Sequence, residues 1–262
     1  GRLPFADLLQ PAIEVAERGY AVPVVVQLKW AAAARLPDLV AQPGFADAFL
    51  PHGRAPQVGE RFCMEGAARA LRAIAATRGE AFYRGEIAQA MVRHAKAHGG
   101  ALREQDLADW QPQWQPTIAQ RYRGHALHQM PPNGQGIAAL MALGMLEHFE
   151  LGALDADGAA AQHLQIEAIK LAFADLHAHV ADPRAMRVTT AELLAPDYLA
   201  KRAKLIDPKR AQRFGPGAPC GGGTIYLAAA DASGMMVSFI QSNFHGFGSG
   251  VVLPEWGLSL HS

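Results

Sequence analysis

The run Cys220-Gly221-Gly222-Gly223-Thr224 sets highly permissive backbone directly before a hydroxyl residue that opens an apolar, strand-like stretch, TIYLAAAD. A threonine hydroxyl is a weak nucleophile until a base takes its proton. One arrangement supplies that base from the residue itself: at a free N-terminus the α-amine, with a pKa of about 8, stands beside the hydroxyl. Making that terminus requires cutting the bond between Gly223 and Thr224. Glycines before the bond would let the backbone distort until the Thr224 hydroxyl reaches the carbonyl that precedes it. A glycine loop leading into a strand that starts with threonine has the same local sequence, so the two readings stand side by side at this point.

Other residues of reactive type offer less. His177 and His179 lie two apart in DLHAH, and on a helix that spacing turns the side chains about 200° from one another, which suits no shared metal. His163 and Glu167 share one helical face, but nothing supplies a further ligand. His125, His128 and His148 are expected as surface or packing residues. PPNGQG, residues 131–136, places Gly134 and Gly136 before a helix but has neither the lysine nor the hydroxyl of a nucleotide loop. It reads as a turn into that helix. GFGSG, residues 246–250, follows one strand and precedes another, so its glycines are expected to make a sharp bend. Cys63 and Cys220 are far apart, with no CxxC spacing; they neither require nor exclude a disulfide.

The elements that must carry these residues can be placed from composition and periodicity. Half of the 262 residues are hydrophobic, enough for a sizeable core in one large domain or two small ones. Lys plus Arg and Asp plus Glu both number 24, leaving no excess charge for a polyanion, so nucleic acid is not an expected partner. No apolar run approaches the roughly 20 residues needed to span a bilayer. The start GRLPFADLLQPAIEVAERG lacks the basic and then apolar order of a signal peptide, which leaves cytoplasm and periplasm both open.

Apolar spacing predicts helices over 5–18, with a break or a late start at Pro11, over the stretch from Glu65 to Gly79, which ends it, and over the stretch containing Ile87 and Met91. Thr117 to Met130 alternates around Gly124 and predicts a hairpin. IAALMALGMLEHF, residues 137–149, is apolar on nearly every side and predicts a buried helix. Residues 161–179 predict a second long helix, neighbouring it in the core, with Leu164, Ile169, Leu171 and Phe173 as the inner face. TIYLAAAD, ASG and MMVSFIQSNF then read as strand, turn and strand. Helices first and a hairpin last indicate an α+β fold.

Taken together, FYRGEIAQAMV with GGALREQDLADWQPQW, YRGHALHQMPPNGQGIAALMALGMLE, HLQIEAIKLAFADLHAHVADP and the segment from Gly223 to Leu260 resemble, in collinear order, the gamma-glutamyltransferase (gamma-glutamyltranspeptidase) family of N-terminal-nucleophile hydrolases. The resemblance implies an αββα sandwich, incomplete in this chain, and a precursor that cleaves itself into a large and a small subunit. Residues 1–223 would be the C-terminal part of the large subunit, mostly helical with central strands. Residues 224–262 would begin the small one. The implied activity is attack on a gamma-glutamyl amide such as glutathione, through an acyl-enzyme that water or an amine acceptor, an amino acid or peptide, resolves. No cofactor or metal is implied, and a homo-oligomer is left open.

Carried over by position, Thr224 is the nucleophile and Gly223 the residue before the processing bond, although TIY stands where the family commonly has Thr-Thr-His. Ser242 falls where the family usually has a second threonine that hydrogen-bonds the nucleophile, and its hydroxyl can do the same. Phe244 falls where common members have an asparagine that helps hold the glutamyl backbone. Phenylalanine offers no such bond, and Asn243 next door is expected to face the other side of a strand, so Asn243 and Phe244 stand as candidate substrate-binding residues for an altered glutamyl or acyl pocket. Phe244 therefore motivates an alternative, an acylase of the cephalosporin acylase type acting on another side-chain amide. A non-catalytic structural relative is the third reading. The family's carboxylate-binding arginine would lie before Gly1, and its oxyanion glycines and acidic amine-binding residues after Ser262, so the chain is expected to be a segment of a larger protein.

Overall fold

A computed structural model of the chain describes residues 2–214 and 224–262. Its first stretch is a helix, α1 (Phe5–Arg18), which runs through Pro11 without ending there. Neither the expected break nor a late start occurs. Proline's fixed φ is itself helical, so the cost is one lost hydrogen bond and local crowding, and the packing of α1 along the helix that begins at Glu65, with Ile13 buried, holds it together. Gly19 closes it by donating its N–H to the Val15 carbonyl.

A short antiparallel pair follows, β1 (Tyr20–Ala21) with β2 (Arg61–Phe62). Between its strands lie α2 (Val24–Ala33), α3 (Pro37–Val40) and α4 (Phe45–Phe49). These elements meet in an aromatic nest of Trp30, Phe45, Phe49 and Phe62. Trp30 packs edge-on to Phe62 with ring centroids 4.7 Å apart, and its indole N–H donates to the Phe49 carbonyl at 2.8 Å. The nest thus satisfies the polar tip that a buried tryptophan brings with it.

Four helices complete this part: α5 (Glu65–Thr77), α6 (Glu80–Tyr83), α7 (Glu86–Ala97) and α8 (Glu104–Ala108). Arg78 and Gly79 both take positive φ where α5 stops, as the glycine predicts. Ile87 and Met91 are buried on α7 as expected.

The next part opens with the predicted hairpin, β3 (Ile118–Tyr122) and β4 (His125–Gln129), turned at Arg123 and Gly124. Both turn residues have positive φ, the conformation that matches the twist of a two-residue hairpin loop. PPNGQG leads into α9 (Gly136–Leu146), where Ile137, Leu140, Met141 and Met145 are fully buried. It packs against α10 (Ala159–His179). The inner face of α10 is Leu164, Ala168, Leu171, Ala172 and Leu176; Ile169 and Phe173, expected there, are only half-buried. At 100° per residue these two lie about 140° and 180° around the axis from Leu164. The face also buries Glu167 and Asp175. α11 (Thr190–Leu193), opened by a capping box between Thr189 and Glu192, and α12 (Pro196–Ala203) cover this core.

The chain ends in β5 (Thr224–Ala230), β6 (Met236–Ser242), β7 (Val252–Leu253) and β8 (Leu258–Ser259), paired β5 with β6 and β7 with β8. Two compact units result, one from the described residues of Gly1–Gln111 and Gly221–Ser262, the other from those of Pro112–Cys220. Helices alternate with strand pairs that are all antiparallel, an α+β fold. Among the described residues each ladder has two strands. The β5–β6 ladder carries exposed apolar residues on both faces, Ile225 and Leu227 on one, Tyr226 on the other, with Phe239 and Ile240 opposite them.

Candidate active site

Seven cross-strand pairs run from Ala230↔Met236 at the turn to Thr224↔Ser242 at the far end. The turn fixes this register. The Asp231 carboxylate accepts hydrogen bonds from the backbone N–H groups of Ser233 (2.8 Å) and Met235 (3.1 Å) and from the Ser233 hydroxyl (2.6 Å). Gly234, at φ 85°, supplies the left-handed step the turn needs. The Ser233 hydroxyl, followed by the backbone donor of Met235, holds the Asp231 carboxyl below its usual range. A slip of one residue would set Thr224 against Gln241 or Asn243 and turn every side chain to the other face. The Asp231 turn, at the other end of the ladder, thus sets Thr224 and Ser242 as backbone partners.

Beyond Ser242 the chain folds back sharply. The Ser242 hydroxyl accepts the backbone N–H of Phe244 at 2.9 Å, and Phe244 itself sits at φ 69°. That region is costly for a bulky L-residue. The Phe244 ring meets His245 edge-on at 4.4 Å and lies within 15° of parallel to His261 at 6.4 Å. The Asn243 carbonyl accepts from the Ser262 hydroxyl at 3.0 Å. The Ser262 oxygen in turn accepts the His245 N–H at 3.3 Å.

The bend is anchored from outside by Phe247, whose ring reaches the aromatic nest at 4.9 Å from Phe49 and 5.3 Å from Phe45. Gly248 and Gly250 take positive φ, as their expected role in a bend requires, and a Cβ on Gly248 would collide with the Leu260 carbonyl. The end of β6 is thus held by α2 and α4 through Phe247, and by the final residues through Ser262.

Of the residues singled out from sequence, the structure brings Thr224 and Ser242 together as cross-strand partners and places Asn243 and Phe244 in the bend that follows. Gly223, with the rest of the glycine run and Cys220, lies outside the described residues. Sequence reasoning missed Ser262 and His261, which clasp the bend; a C-terminal LHS carries no periodic signal. It missed Phe247 for the same reason. His125, His128 and His148 are exposed as expected, and His163 binds the Asp207 carbonyl at 2.8 Å. Among the described residues no three His, Cys, Asp or Glu gather as metal ligands. Among them, too, no helix is long and apolar enough to cross a membrane.

The gamma-glutamyltranspeptidase family model matches residues 1–262. The chain is 37% identical to the oxamate amidohydrolase proenzyme of Klebsiella pneumoniae, over 98% of this chain and 48% of that protein. It is 33% identical to the glutathione hydrolase-like YwrD proenzyme of Bacillus subtilis, over 100% and 49% respectively. The solved cephalosporin acylase from Bacillus halodurans superposes with a TM-score of 0.91 at 43% identity, covering 99% of this chain and 48% of that one. The chain spans about half the length of the curated relatives it matches, and those relatives are named as hydrolase proenzymes. By that match and those identities, the chain belongs to the gamma-glutamyltranspeptidase family, within the N-terminal-nucleophile hydrolases.

Proposed function

We propose that the complete protein is a threonine amidohydrolase and acyltransferase, made as a precursor that cuts itself between Gly223 and Thr224. The observation that carries this reading is the β5–β6 register, which sets the residue that would become the new N-terminus directly opposite Ser242. In the proposed reaction the freed α-amine of Thr224 accepts the proton of its own hydroxyl, and the oxygen attacks the amide carbon of the substrate. The amine leaves carrying that proton, and water, or an amino acid or peptide amine, then releases the acyl group. Ser242 supplies the hydroxyl that orients the nucleophile.

Residues 1–223 would then be the end of the large subunit and 224–262 the start of the small one. The apolar residues on both faces of the β5–β6 ladder support a place among the central strands of an αββα sandwich, since strands covered on both faces lose the alternation of polar and apolar residues.

A gamma-glutamyl amide such as glutathione is the first candidate donor, in keeping with the glutathione hydrolase-like relative. Phe244 favours a second reading, in which the acyl group lacks the amino and carboxylate pair of glutamate; relatives named as a cephalosporin acylase and an oxamate amidohydrolase are in keeping with a donor other than a gamma-glutamyl amide. Intact-mass analysis of the complete precursor beside its Thr224→Ala variant tests the common core of both. Two fragments, the smaller beginning at Thr224 and replaced in the variant by one uncut chain, are expected. One uncut mass in both proteins would dismiss the nucleophile assignment.

A further inference from the structure

Within 224–262 the described residues divide sharply by burial. From Ile225 to Gln241 every one is exposed, whereas Gly250, Val252, Leu253 and Trp256 are buried. Their partners lie mainly in residues 2–111, in the same compact unit. Val252 joins Trp30, Phe45 and Phe49, and the Phe247 ring packs onto the same nest. Leu253 and Trp256 join Ala70 of α5 and Ile87 and Met91 of α7.

Backbone contacts fix the placement that these apolar contacts favour. The Val252 N–H donates to the Pro43 carbonyl at 2.9 Å, and the Arg69 side chain donates to the Glu255 carbonyl at 3.1 Å. Gly44 and Gly66 let the two backbones touch. A Cβ on Gly44 would collide with the Val252 carbonyl, and one on Gly66 with the Pro254 carbonyl and the Gly257 nitrogen. Apolar burial by itself is non-directional. Two close approaches at glycine and two hydrogen bonds to carbonyls make the seat specific for one placement of residues 247–257.

We propose that this seat, built by Pro43, Gly44, Gly66, Arg69 and the aromatic nest, is a surface of the large subunit that retains the small one after cleavage, its partner being residues 247–257. This rests on the self-processing reading above. Before the cut, both sides of the seat belong to one chain and meet at the high effective concentration of an intramolecular contact. After it they belong to two chains, and the same contacts contribute to a dissociation constant. A lesion in the seat thus weakens the cleaved protein in a way that dilution reveals and the uncut chain does not share.

The test uses the complete protein, cleaved, with Arg69→Ala or Gly66→Ala, each beside the same substitution in the uncut Thr224→Ala background. Release of the small subunit on serial dilution is followed by size-exclusion chromatography at one sub-denaturing urea concentration, chosen so that parental release is measurable. Arg69→Ala is the mild variant, because Arg69 is exposed and its loss leaves the face of α5 packed. It is expected to weaken association roughly 2- to 12-fold, the worth of one hydrogen bond. Gly66→Ala, which forces the backbones apart, is expected to weaken it at least about fivefold.

In the uncut background both variants are expected to elute as one species at every dilution. A parental dissociation constant in either variant, from a protein that does cleave, overturns the proposal and leaves the self-processing reading intact. So does an equal fall in melting temperature in cut and uncut proteins with no dependence on concentration, which would trace the effect to the folding of a single chain. A parental precursor that never cleaves removes the self-processing reading, and the proposal with it.

Discussion

Replacing Phe244 by asparagine separates the two donor readings, and its size can be worked from the bend. Phe244 pays a left-handed φ of 69°, worth about 1–2 kcal/mol for an ordinary L-residue and less for asparagine, whose short side chain bonds locally. Against that gain stand the lost ring contacts with His245 and His261, about 0.5–1.5 kcal/mol together at a half-buried site. The two nearly cancel, so stability is expected to change by less than about 1 kcal/mol and the fold to persist. Recognition does not cancel. One new hydrogen bond to a glutamyl group is worth about 0.5–1.5 kcal/mol, a rise of roughly 2- to 12-fold in kcat/KM for a gamma-glutamyl anilide. Losing the phenyl contact costs an acyl chain about 1–3 kcal/mol. The ratio of the two kcat/KM values, gamma-glutamyl anilide over glutaryl amide, should therefore rise more than tenfold in the variant. A ratio within twofold of the parent, in a protein of unchanged melting temperature, would refute the placement of Phe244 against the acyl group.

Two further outcomes test the scaffold. Leu171 is fully buried between α9 and α10, so Leu171→Ala is expected to cost about 2–5 kcal/mol, read as a lower denaturant midpoint with an unchanged slope. Asp182, hydrogen-bonded first by the Arg184 side chain and then by its backbone N–H, titrates at about 2. A folded pKa below the unfolded one adds stability that is full above the unfolded value of about 4 and is lost as pH falls through the folded value. NMR titration should place the Asp182 midpoint near 2 and Arg184→Ala should move it upward; an unmoved midpoint would remove the arginine as the cause.

What could be read from the sequence, and what could not, divides by the range of the interactions. Strand alternation and the turn after Asp231 are local, so the hairpin could be read from its own residues, while the Thr224↔Ser242 register came from the structure. The burial of α9 followed equally from a helix with no polar face. The clasp on the bend did not, because Phe247 finds Trp30, Phe45 and Phe49 some two hundred residues away and none of them belongs to a periodic pattern. Nor did the left-handed conformation of Phe244, which is forced by the Ser242 hydroxyl capturing its N–H and by the Ser262 clasp, against the preference of the residue itself.

Glu167 lies between these cases. The sequence showed Glu167 sharing a helical face with His163, while its burial beside Leu164 and Leu171 is a finding of the structure. Only the structure supplies its partner, in a segment with no periodicity of its own, 45 residues downstream at Gln212. A charged residue set on an apolar helical stripe is thus a pointer from a regular element, which sequence patterns reveal, to an irregular one, which they do not.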